Sequence, residues 1–379
     1  MTLDRRDFLG LAAAGAAWPA LSRLGRGSAP KASSRSGRDE RPPSAQESAR
    51  AAELYEEAIV IDSLAVGHEW DEVEFAAVEA SGYTAIQTTL PSNTYEVADR
   101  ALRTWNARCE EHADRLLRVE RAADIERAER EGRMGVMFGF QNATMIHRDL
   151  DNLDRLYALG TRCIQLTYND RNLLGNGCTE RVDGGLSDFG VAAVKRMNEL
   201  GIVVDLSHCG YRTTMDGIAF SAPPACFTHT MCEALYPGHP RAKTDEQIRT
   251  MARNGGVMGV AALGYFVGPD PGGATTIEHY LDHIEHAVAV GGIDHVGLCT
   301  DFQIRGIASW ATRENWYEPR LRNFKPSYQV RWPPWIPELD DTDRFRRVTA
   351  GLMARGYSDE EVLKVLGGNW LRYFRDVIG

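Results

Sequence analysis

Two short apolar runs of this chain end in histidine: Val203-Val204-Asp205-Leu206-Ser207-His208 and Ala225-Cys226-Phe227-Thr228-His229. In a parallel β-barrel, the residue just past a strand's C-terminal end points into the mouth where such folds place their chemistry. Two imidazoles on successive strands are half of a metal site, and a carboxylate from a third strand end extends it. Asp301, after the run 295–300, supplies that carboxylate, so His208, His229 and Asp301 are the candidate metal ligands. Zinc suits such donors; it lowers the pKa of bound water and polarises a carbonyl. Asp62, Gln141 and Tyr168 also stand at strand ends, and Arg241 lies in the loop after the sixth strand. Any one of them alone is more often a helix cap or a hydrogen-bonded core residue. Convergence on one rim is what favours function.

The elements that must position them alternate. β-rich apolar runs occur at 58–62, 83–90, 135–140, 162–167, 202–206, 225–228, 257–262 and 295–300. Segments of helical periodicity separate most of them, among them 187–200, 244–253 and 276–290. Eight such units predict an α/β fold, a (β/α)8 TIM barrel of the metal-dependent hydrolase type. An open doubly wound sheet is the alternative, but no Gly-rich phosphate turn follows Asp62. Residues 304–340 break the rhythm with Trp310, Trp316, Tyr317, Tyr328, Trp332 and Trp335, and read equally as a lid or as a subunit contact. Two terminal helices are expected, at 340–356 and 358–377.

The chain has 379 residues, a formal charge of −10 and 43% hydrophobic residues, ample for a buried core. Residues 1–50 hold nine Lys/Arg against five Asp/Glu, and the remainder 34 against 48. An acidic body is a poor match for phosphate backbones, so nucleic acid is not an expected partner. Arg5-Arg6 before Phe8-Leu9 and an Ala-rich run reads as a twin-arginine export signal over 1–26. A disordered linker over 27–50 and a barrel domain over 51–379 follow. The apolar run is too short for a membrane span. The expected location is therefore periplasmic or otherwise extracytoplasmic, with no integral membrane segment in the mature chain. None of the seven cysteines forms a CxxC pair; Cys163, Cys226 and Cys299 sit in strand-like runs and read as core residues.

From about residue 55 to 376 the chain resembles the membrane (renal) dipeptidase family of zinc peptidases. The matching pieces include Leu156-Tyr-Ala-Leu-Gly-Thr-Arg162, Leu166-Thr-Tyr-Asn169, Gly185-Leu-Ser-Asp-Phe-Gly190, the run 197–208, His239-Pro-Arg-Ala-Lys-Thr-Asp245, Asp294-His-Val-Gly297 with Asp301, and Gly367-Gly-Asn-Trp-Leu-Arg372. The resemblance implies a (β/α)8 barrel with two zinc ions that cleaves dipeptides. It gives His208 and His229 to the second metal, places Asp301 beside the metals, and assigns Arg241 to the substrate's carboxylate. It also implies departures. Leu64 and Val66 stand where the first metal's His and Asp belong, Gln141 where a bridging glutamate belongs, and Tyr168 where a histidine belongs. His68, Glu69 or Asp71 offer a poor substitute, because His-x-x-Asp spacing does not share a strand face.

Three readings follow. The first is a dipeptidase-like metallohydrolase with one zinc on His208, His229 and Asp301, in which Gln141 and Arg241 bind substrate and Tyr168 and Asp301 carry the chemistry. The second is a relative with changed chemistry: a lyase, an isomerase or a metal-free hydrolase. The third is a non-catalytic binding barrel. The expected partner is a dipeptide or other small molecule, and a homodimer is plausible.

Overall fold

The computed structural model describes residues 45–66, 70–268 and 274–379. The export signal, most of the linker, His68 and Glu69 lie outside the described residues. The end of the linker is corrected: residues 45–50 open a helix, Ala45–Glu57. Its Ala- and Glu-rich sequence favours helix. It buries Leu54 and Tyr55, and Arg50 reaches the Asp359 carboxylate at 2.7 Å.

Ten strands are present among the described residues: β1 Ile61–Ala65, β2 Ala85–Leu90, β3 Leu116–Arg118, β4 Met134–Phe140, β5 Thr161–Gln165, β6 Val203–Asp205, β7 Phe227–Cys232, β8 Ala242–Lys243, β9 Met258–Ala261 and β10 Val296–Cys299. Parallel ladders join β1, β2, β4, β5 and β6 in that order, and β7, β9 and β10 likewise. The two arcs meet where the Leu206 amide donates to the Cys226 carbonyl and the Cys226 amide to that of Val204. On the other side β10 runs into β1. The Asp301 amide donates to the Leu64 carbonyl at 2.9 Å, and Val66 to Phe302 at 3.1 Å. The ring is a (β/α)8-type barrel of the eight expected strands. β3 and β8 pair with β4 and β7, and are too short to show a period in sequence.

The first strand starts later than expected. Asp62 is not at the rim but mid-strand and fully buried, where its carboxylate accepts from the Thr300 amide, the Thr300 hydroxyl and the Leu64 amide. A polar pair inside a strand looks like a strand end in sequence. Here both members are satisfied, Ser63 donating to the Thr228 and Leu298 carbonyls. The rim of β1 is therefore Leu64 to Val66.

The expected helices form at Asp188–Leu200 behind Ser187, at Asp245–Arg253 with a Thr244–Gln247 capping box, and at Ile277–Gly291. Of the terminal helices, the first is Arg344–Ala354. The second is interrupted by a π-helical turn, Lys364–Gly368. Asn369 just after it donates to the Ile293 and Val296 carbonyls and ties the end of the chain to β10. No described helix is long and apolar enough to cross a membrane. The described cysteines are free, and Cys163, Cys226 and Cys299 are buried as expected.

Candidate active site

His208 and His229 meet under the barrel mouth. Their Nε2 atoms are 2.9 Å apart, and both rings are buried. The sequence around each fixes the other ring nitrogen. Asp205 accepts four hydrogen bonds, from the Ser207 amide and hydroxyl and the Thr228 amide and hydroxyl. The Thr228 proton is thus committed to Asp205, so its oxygen accepts from His229 Nδ1 at 2.8 Å. His208 Nδ1 donates to the Asn169 side-chain oxygen, also at 2.8 Å. Asn169 is held there by a loop that passes very close. A Cβ on Gly177 would fall 2.2 Å from the Asn169 backbone, and the Cys178 amide donates to the His208 carbonyl at 2.7 Å.

With both Nδ1 protons committed, each neutral ring presents a bare lone pair at Nε2. Burial, reinforced by the Arg241 guanidinium, holds the pKa of both rings well below the usual histidine value. Two lone pairs facing each other repel unless a cation lies between them. Two nitrogens on one tetrahedral zinc sit about 3.3 Å apart, within a few tenths of an ångström of this pair. Hydrogen-bonded outer partners on both rings are what a metal-ligating imidazole needs. The pair therefore offers a metal ion two nitrogen donors. The Gln141 amide lies 3.5 Å from His229 Nε2 and can turn its oxygen to the same point. No three His, Cys, Asp or Glu side chains converge among the described residues, so Asp301 does not close a three-donor set with the pair.

Gln141 and Tyr168, which contact the pair, border a cavity of about 160 Å³ that neither histidine lines. Gln141 and Tyr168 form its floor, and the Tyr168 ring stacks on His208 at 4.1 Å. Asp301 and Val66 stand on its wall. Asp301 has a left-handed backbone (φ 64°), which Asp tolerates better than most residues. Burial pushes its carboxyl up to about 7, against the opposing pull of Arg241 and Arg320. Burial likewise raises the Tyr168 phenol to about 12. Asp71, the one described member of the substitute trio, is a helix cap that accepts from the Glu74 amide.

Arg241 does not line the cavity. Fully buried behind the histidines, it donates to the Ser207 carbonyl and, at 2.7 Å, to that of His229. The guanidinium facing the cavity is Arg320, in the aromatic segment. That segment roofs the same cavity with Trp310, Trp316, Phe324 and Tyr328. Arg320 was invisible to strand-end reasoning because it sits on no strand. Asp205 and Asn169 could have been found, since both lie in the quoted motifs and flank the histidines.

The sequence of residues 50–312 matches the description of the membrane dipeptidase family, peptidase family M19. This chain belongs to that family. It is 31% identical to an amidohydrolase from Pseudomonas aeruginosa of known structure, with a TM-score of 0.77 over 86% of this chain and 98% of that one. Among curated relatives it is 29% identical to the dipeptidase verJ of Clonostachys rogersoniana over 270 residues, 71% of this chain, and 27% identical to the dipeptidase tcpJ of Claviceps purpurea over 268 residues, 70% of this chain. The matched stretch spans 62% and 56% of those two relatives' own lengths.

Proposed function

We propose that this M19 chain is a dipeptidase-type hydrolase of a small peptide or amide bearing a carboxylate, with one cation held by His208 and His229. The observation that carries this reading is the pair of bare Nε2 atoms 2.9 Å apart, each ring fixed by a partner at Nδ1. Zinc is the ion of choice for two imidazoles; when bound it would polarise the scissile carbonyl and acidify a water. A second dication has little to hold it. The β1 rim offers Leu64 and Val66, and Gln141 carries no charge to offset repulsion between two ions.

The chain's own groups divide the remaining work. Asp301, with its carboxyl near 7, takes a proton close to neutrality and returns it to the leaving amine. Tyr168 keeps its proton and donates it as a hydrogen bond to the substrate's carbonyl oxygen. Arg241 acts as a positioning residue, clamping the backbone of Ser207 and His229. The test is hydrolysis of a dipeptide panel by zinc-loaded full-length protein. Turnover should vanish with a chelator and return with zinc. Turnover that resists chelation, or none across the panel in protein that carries zinc, contradicts the reading.

A further inference from the structure

The cavity has one feature that the strand ends do not supply: a cation in its roof. Arg320 lies in the helix Glu318–Asn323, beyond the stretch 50–312 that matches the family. One terminal nitrogen donates to the Trp316 carbonyl at 3.0 Å, and the guanidinium stacks 3.9 Å over the Trp316 ring. These contacts fix the plane of the fork and leave its other N–H groups without a partner among the described residues. A planar, oriented guanidinium of this kind recognises a carboxylate through two parallel hydrogen bonds. Among the described residues lining the cavity it is the one cation, and Asp301 is the one acid. The roof around it is aromatic: Trp310, Trp316, Phe324 and Tyr328.

We infer that Arg320 is the specificity-determining anchor for a substrate carboxylate, and that the site takes a small monocarboxylate with a flat apolar substituent. The charge sits on Arg320 and the apolar part packs under the aromatic roof. The cavity of about 160 Å³ lies below the usual range of about 300–1,000 Å³ for ligand sites, which limits the occupant to a small molecule. Arg241, with both terminal nitrogens on backbone carbonyls, stays behind the histidines. This rests on the hydrolase reading for the word substrate. The binding claim itself does not need turnover.

The test therefore uses binding. Phenylacetate and its uncharged amide are titrated into the full chain by calorimetry. The proteins are the wild type, Arg320→Met, Arg320→Lys and Arg322→Met, with circular dichroism to confirm folding. Phenylacetate should bind the wild type and the amide should not. Arg320→Met should weaken phenylacetate about ten- to hundredfold, the worth of a charged hydrogen-bonded contact. Arg320→Lys should recover part of that loss, and Arg322→Met, which removes an exposed cation of the same helix outside the cavity, should bind within a few-fold of the wild type. Unchanged binding in Arg320→Met, equal binding of acid and amide, or no phenylacetate binding to the wild type overturns the inference. A protein that binds as expected yet hydrolyses nothing sinks the hydrolase reading and leaves the anchor standing.

Discussion

At the residue scale, the account depends on protons. His208 and His229 donate at Nδ1 because Asn169 and a committed Thr228 leave them no other role. Thr228→Val and Asn169→Ala each free an Nδ1 without touching an Nε2. Each should weaken zinc affinity about ten- to hundredfold, measured by competition with a chromogenic chelator. Asp301 makes a separate, signed claim. An unfolded carboxyl loses its proton near 4 and the folded one near 7. Between those values the folded chain binds more protons, so stability falls as pH rises from about 4 to about 7, by at most about 1.4 kcal/mol per unit. Asp301→Asn, which suits the left-handed backbone, should remove that slope in thermal melts run with a chelator present.

At the scale of elements, the barrel was legible and the roof was not. Continuous apolar runs located all eight barrel strands, because parallel strands buried on both faces read that way rather than as alternation. They misplaced the first, because Asp62 and Ser63 are polar groups paired inside the strand, and pairing is a tertiary fact. The histidines were legible because strand ends point at the mouth. Arg320 was not, since nothing local tells which way a long loop folds. The loop's two ends are pinned by backbone contacts. Asp340 accepts from the Ile307 and Ala308 amides at 2.6 and 2.8 Å, and Arg344 donates to the Ile304 and Leu339 carbonyls. Asp340→Ala strips acceptors from two amides. It should cost about 1–3 kcal/mol in denaturant unfolding and speed proteolysis within 304–340. A neutral outcome on both would mean that the roof is held elsewhere.

For the whole molecule, the same burial that makes the histidines good donors makes the fold sensitive to acid. His239 shows it away from the metal pair. Its Nε2 donates to the Tyr328 carbonyl at 2.9 Å, its Nδ1 accepts from the Arg241 amide, and burial lowers its pKa to about 3. The unfolded ring takes a proton near 6.5 and the folded one only near 3. This part of the stability is present above about 6.5 and is lost as pH falls toward 3, at up to about 1.4 kcal/mol per unit. His239→Asn should lower stability at pH 8 and flatten the acid limb of the denaturation profile. The limb opposes the Asp301 slope, so the two variants separate the contributions.

The most direct measurement is the zinc content of the purified full-length chain after loading with excess zinc and desalting. One ion between His208 and His229 gives about one zinc per chain, and almost none in His229→Ala. Fewer than about 0.2 per chain in the wild type, or a stable two per chain, would contradict a single cation held by two facing imidazoles.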